Sequence, residues 1–82
     1  MNNDKSYFEI EEVQGKLFPV VSRKKGEVRI EECPFCGKTH EHALGSGHRF
    51  SHCRDTAGYF DKIIIKGHEL LQRDGYIIHD ID

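Results

Sequence analysis

Cys33-Pro34-Phe35-Cys36-Gly37-Lys38-Thr39-His40-Glu41-His42, continued by His48-Arg49-Phe50-Ser51-His52-Cys53, is the stretch that decides how this chain folds. It carries all three cysteines and four of the six histidines. A C-x2-C pair with Pro inside and Gly after it is how a chain turns tightly around a tetrahedral ion. The turn aims backbone N–H groups at the sulfurs, and Gly permits it. Cys33, Cys36 and Cys53 are therefore the expected ligands of one structural Zn2+, and a histidine must supply the fourth donor. His40 is nearest the knuckle and is preferred; His52 and His48 are the alternatives. His48 stands about 16 Å from Cys53 if the segment between them is extended. His52 is adjacent to Cys53 and requires a bend. Three cysteines with a histidine suit a closed structural site better than a catalytic one, which keeps a position open.

The chain around this stretch is short. Its 82 residues make one domain, 1–82, with 37% hydrophobic and 32% charged residues. A chain this size buries only roughly 60–65% of its unfolded surface, so a metal is a natural support for a thin core. The odd cysteine number argues against a disulfide scaffold, and Met1-Asn2-Asn3-Asp4 leads into no apolar run. No signal peptide or membrane span is expected, and the expected location is cytoplasmic. The net charge of −2 gives no global signal for nucleic acid, although Lys38, Arg49 and Arg54 against Glu41 make the cysteine segment locally basic.

Alternation over 7–13 predicts a half-buried strand, Gln14-Gly15 a turn, and 16–22 a second strand in which Pro19 favours an edge or a bulge. Arg23-Lys24-Lys25-Gly26 reads as a turn, and 27–31 as a strand that completes a β-meander. Lys38–Leu44 and His48–Cys53 read as a hairpin around Gly45-Ser46-Gly47. That register places Lys38, His40, His42, Arg49, Ser51 and Cys53 on one face. Phe60, Ile63, Ile64, Gly67, Leu70 and Leu71 fall at helical spacing. With Asp55 as N-cap and Asp74-Gly75 as stop, they predict a helix over about residues 57–73, despite three consecutive β-branched isoleucines. Residues 76–81 read as a closing strand. The expected fold is α+β, a treble-clef or zinc-ribbon-like knuckle and hairpin with an N-terminal β-meander, one helix and a closing strand. Phe8, Ile10, Val13, Val28, Ile30, Ile63, Ile64, Leu70, Leu71, Ile77 and Ile78 are the expected core.

Cys-Pro-Phe-Cys also occurs as a glutaredoxin-type redox motif, but there a helix begins at the motif, whereas Gly37 interrupts at once here. The histidines not spent on metal, with Arg49, form a candidate contact surface. His42, His48 and Arg49 can meet phosphates, bases or a partner protein, with Phe50 and Tyr59 as stacking surfaces. The alternative for these residues is a solvated hairpin face that hydrogen-bonds the cysteines. A nuclease of the His-Asn-His type would also use a treble clef, yet the only asparagines are Asn2 and Asn3. No catalytic residue is assigned.

The motif series Cys33-Pro34-x-Cys36-Gly37, His40-x-His42, Gly47-His48-Arg49 and His52-Cys53 resembles a small zinc-finger-like family of phages, prophages and some bacteria. The family usually has Gly after the second His of H-x-H, where this chain has Ala43. The resemblance covers about a quarter of the chain. It implies a phage-type zinc protein in which His48 and Arg49 matter beyond solvation. The expected function is a zinc-binding interaction module, a regulator or inhibitor contacting nucleic acid or a host protein. The alternative is a metal-dependent hydrolase or nuclease.

Overall fold

The computed structural model describes residues 3–51, 53 and 59–82. Strand β1 (Glu9–Val13) turns back into β2 (Lys16–Lys24) through Gln14 and Gly15, both at positive φ, 53° and 81°. Two consecutive left-handed residues match the twist of a two-residue hairpin. In the register that follows, Val13 faces Lys16 and Ile10 faces Pro19. Counting from the turn, Ile10–Pro19 is a non-hydrogen-bonded pair, so the missing N–H of Pro19 costs the β1 ladder nothing. On the other side, pairing with the last strand, β8 (Tyr76–Ile81), begins one residue later at Val20–Ile77. Pro19 therefore sits within an interior strand, not at the edge or bulge expected for it.

The β2–β8 pairing is parallel and joins distant parts of the chain. Strand β5 (Gly47–Arg49) adds antiparallel to β8, giving a sheet in the order β1-β2-β8-β5. The long connection from β2 to β8 carries everything else. In it, β3 (Arg29–Ile30) and β4 (His40–Glu41) pair with each other, as do β6 (Lys62–Ile65) and β7 (His68–Leu71).

Three expectations are corrected here. The β-meander stops at β2, because β3 leaves the main sheet to pair with β4. The hairpin of 38–44 with 48–53 does not form, since β4 takes β3 and β5 takes β8 as partner. The described part of the predicted helix, 59–73, is the β6–β7 hairpin followed by a 3-10 turn at Gln72–Asp74. Its turn is Lys66-Gly67, at φ 51° and 85°, which repeats the device of Gln14-Gly15. The isoleucines alternate as a strand demands: Ile63 and Ile65 are buried and Ile64 is half-buried. Asp55, Ala57 and Gly58 lie outside the described residues. The architecture is mostly strands with almost no helix, not α+β.

One core runs through the molecule. Val21, Tyr76 and Ile78 from one face of the sheet meet Ile30, Cys33, Phe35, Cys53, Ile63, Ile65 and Leu70. Each large aliphatic side chain buried there contributes roughly 1.5–3 kcal/mol. Val13 and Val28 are exposed, contrary to expectation: Val13 closes the β1–β2 turn and Val28 precedes β3. Among the described residues no helix is long and apolar enough to cross a membrane.

Buried Arg23 ties the sheet to this connection. Its side chain is 0% exposed and its Nε donates to Asp80 Oδ1 at 2.7 Å. The other guanidinium nitrogens donate to the carbonyls of Val28, His42, Ala43 and Gly45. The turn expected at 23–26 therefore begins inside β2, with a buried charge.

Candidate metal centre

The knuckle is the tip of the β3–β4 hairpin. Ile30 pairs with His40, and Arg29 with Glu41. Between them, Cys33 N–H donates to the Lys38 carbonyl and Gly37 N–H to the Cys33 carbonyl, both at 2.8 Å. Gly37 takes φ 75°, which closes the turn. Phe35 N–H donates to Cys33 Sγ at 3.4 Å. Pro34 and Phe35 are buried, and Phe60 N–H donates to the Phe35 carbonyl at 2.7 Å, which anchors the knuckle from below.

This hairpin delivers Cys33, Cys36 and His40 together, and Cys53 arrives from the far side. One donor atom from each of the four lies within 4.8 Å of the others. His40 Nε2 is 3.1 Å from Cys36 Sγ. A tetrahedral ion with Zn–S near 2.3 Å would hold sulfurs roughly 3.8 Å apart, so the cluster has the size of a metal site. Its donor set, three sulfurs and an imidazole nitrogen, is that of a soft or borderline cation.

Electrostatics agrees with the geometry. Burial pushes the Cys33 thiol up to about 12, against the pull of the Ser51 hydroxyl and the N–H groups of Phe35 and Cys36. Burial also raises the Cys36 thiol, against the Lys38 N–H. Sulfurs this close and this buried are tolerable as thiolates when a cation sits among them, and binding then releases protons.

Two residues support the sulfurs from outside the ligand set. Ser51 Oγ lies 2.8 Å from Cys53 Sγ and 3.5 Å from Cys33 Sγ. Gln72, 5% exposed, donates from Nε2 to the Ser51 carbonyl at 2.9 Å and toward Cys53 Sγ at 3.6 Å. Ser51 falls on the predicted cysteine face, whereas no spacing in the sequence points to Gln72. Gln72 reaches the site because the 3-10 turn after β7 places it there.

The remaining histidines and Arg49 have other partners. His42 Nε2 is 2.6 Å from the hydroxyl of fully buried Tyr76, and its ring stacks on His40 with centroids 6.4 Å apart. Burial drives the Tyr76 hydroxyl pKa upward. His48 stands away from the cluster on β5. Its Nε2 donates to the Asp74 carbonyl at 2.6 Å, and its ring meets Phe18 and Phe50 edge-on. Arg49 Nη2 donates to the Ala43 and Gly45 carbonyls. His52 lies outside the described residues. The chain matches no known family model, no curated protein and no solved structure.

Proposed function

We propose that the chain is a zinc-stabilised β module that works by contact with another macromolecule. Cys33, Cys36, His40 and Cys53 hold one structural Zn2+. The observation that carries this reading is the convergence of four protein donors within 4.8 Å on a largely buried spot. Four protein ligands fill a tetrahedral shell, which counts against a hydrolase or nuclease needing an open position. With the knuckle inside a β-hairpin, zinc-ribbon-like describes the arrangement better than treble clef.

A protein partner suits the surface better than nucleic acid. The net charge is −2, His42 and Arg49 are engaged internally, and Tyr7, Leu44, Phe50 and Ile81 are exposed. The motif resemblance suggests a phage-type zinc protein, which a regulator or inhibitor acting on a host protein would fit, with His48 and the exposed Phe50 in the contact.

Metal analysis of reduced protein tests the first half. One zinc per chain is expected, lost in Cys53→Ser and His40→Ala and kept in His42→Ala and His48→Ala. A metal-free protein that keeps its fold under a strong chelator would overturn it. Capture from host lysate tests the second. Binding should survive nuclease and raised salt, and Phe50→Glu should abolish it with zinc retained. Binding that weakens steeply with salt would turn the reading toward nucleic acid.

A further inference from the structure

We propose that the metal centre is a peroxide-responsive switch in which Cys36 is the sulfur that reacts first. The inference rests on the zinc reading above. The three sulfurs are unequal. Cys33 and Cys53 are 0% exposed, share the Ser51 hydroxyl, and Cys53 is further covered by Gln72. Cys36 is half-buried, and exposed Gly37 and Lys38 follow it directly. Oxidation of thiolates follows access as well as thiolate character, so peroxide meets Cys36 before the other two.

The chemistry is closed. The Cys36 thiolate attacks one oxygen of hydrogen peroxide, the O–O bond breaks, and a sulfenic acid and hydroxide result. The Cys33 thiolate, within 4.8 Å, then attacks the Cys36 sulfur and expels a second hydroxide. Two electrons pass from sulfur to peroxide, the Cys33–Cys36 disulfide forms, and Zn2+ leaves with its charge unchanged.

The consequence lies in which parts of the chain are tied. Zinc joins the β3–β4 hairpin to Cys53, a long-range tie. The disulfide closes only the knuckle, whose ends the Gly37–Cys33 hydrogen bond already holds together. A short closure removes little chain entropy compared with a long one. Oxidation thus replaces the tie across the molecule with a local one and leaves Cys53 held by its packing in the core and by Ser51 and Gln72.

Zinc-loaded full-length protein treated with hydrogen peroxide, in the presence of a zinc-sensitive dye, tests the switch. The expected result is one zinc released per chain, a mapped Cys33–Cys36 disulfide, Cys53 still open to alkylation, and reversal by a thiol reductant plus zinc. Cys36→His keeps four donors and should release zinc at least about tenfold more slowly, because both remaining sulfurs are buried. Where that variant does not load zinc, the order of alkylation in the wild type decides: Cys36 first supports the switch, Cys33 or Cys53 first overturns it. Zinc retained under excess peroxide, a Cys33–Cys53 bridge, or equally fast release from Cys36→His overturns the switch and leaves the zinc reading standing. Untreated protein that takes up no zinc overturns both.

Discussion

Two polar clusters hold this molecule together, and they differ in every respect except their task. The Cys33–Cys36–His40–Cys53 cluster gathers donors from one hairpin tip and one distant cysteine. The Arg23 cluster gathers acceptors: the Asp80 carboxylate from β8 and carbonyls of residues 28, 42, 43 and 45. The first announces itself through residue types that have few other uses at that spacing. The second uses an arginine in a basic run, and main-chain carbonyls that every residue possesses. The Arg23 cluster fastens the β2–β8 connection to the sheet, and the metal-site cluster ties two parts of that connection to each other. A metal cluster can be read as a pattern, whereas a buried guanidinium is known only once its acceptors are assembled.

The largest expected effect comes from the metal side. Cys53→Ala should abolish zinc binding and remove most of a binding free energy on the order of 10 kcal/mol, checked by metal content and thermal unfolding with and without chelator. Arg23→Met removes the ion-pair partner of Asp80 and one donor from each of four carbonyls, of which Val28 keeps the His42 N–H and Ala43 and Gly45 keep Arg49. A lowered urea midpoint is expected, with zinc content unchanged. If Arg23→Met instead releases zinc, the two clusters are one cooperative unit and the comparison fails.

Gly75 tests the seam between β5 and β8. It takes φ 81°, and a Cβ there would lie 2.2 Å from the Arg49 carbonyl oxygen, a backbone atom with little freedom to retreat. Gly75→Ala should cost roughly 3 kcal/mol in equilibrium unfolding, through strain and overpacking together.

The Arg23 cluster also predicts a pH dependence. The hydrogen bond from Arg23 holds the Asp80 carboxyl below its ordinary value of 3.8. Between the lowered folded value and the ordinary one, the unfolded chain binds more protons, so stability rises with pH there. The contribution is complete above 3.8 and disappears as pH falls through the folded value. Unfolding followed across this acid range should show a rise in the wild type that is flattened in Arg23→Met; equal slopes would remove Asp80 from the account.

The smallest effect is a gain. Gln14 occupies a left-handed conformation at φ 53° next to Gly15. Asn tolerates that conformation better, so Gln14→Asn should stabilise the β1–β2 hairpin by about 0.5–1 kcal/mol, seen as a raised melting temperature.

Much of the structure was legible beforehand where the signal is local. Gln14-Gly15 was readable as a turn, 7–13 as a strand by alternation, of which Glu9–Val13 form β1, and Tyr76–Ile81 as a closing strand. The same chemistry at Lys66-Gly67 was obscured by apolar residues that coincide with a helical period. The β-branched isoleucines and the turn outweigh that period once Ile63, Ile65 and Leu70 have a core to enter. His40 came together with the cysteines through a different partner from the one its hairpin reading implied, β3 instead of 48–53.

The sequence by itself determined the set of metal-competent residues, because ligand chemistry and the knuckle turn are properties of a few neighbouring side chains. Long-range packing settled which strands pair, that residues 59–73 form a hairpin in place of an α-helix, and that Arg23 is buried. Those outcomes depend on hydrogen-bond partners and apolar surfaces contributed from opposite ends of the chain, and no local pattern encodes which of several compatible partners will win.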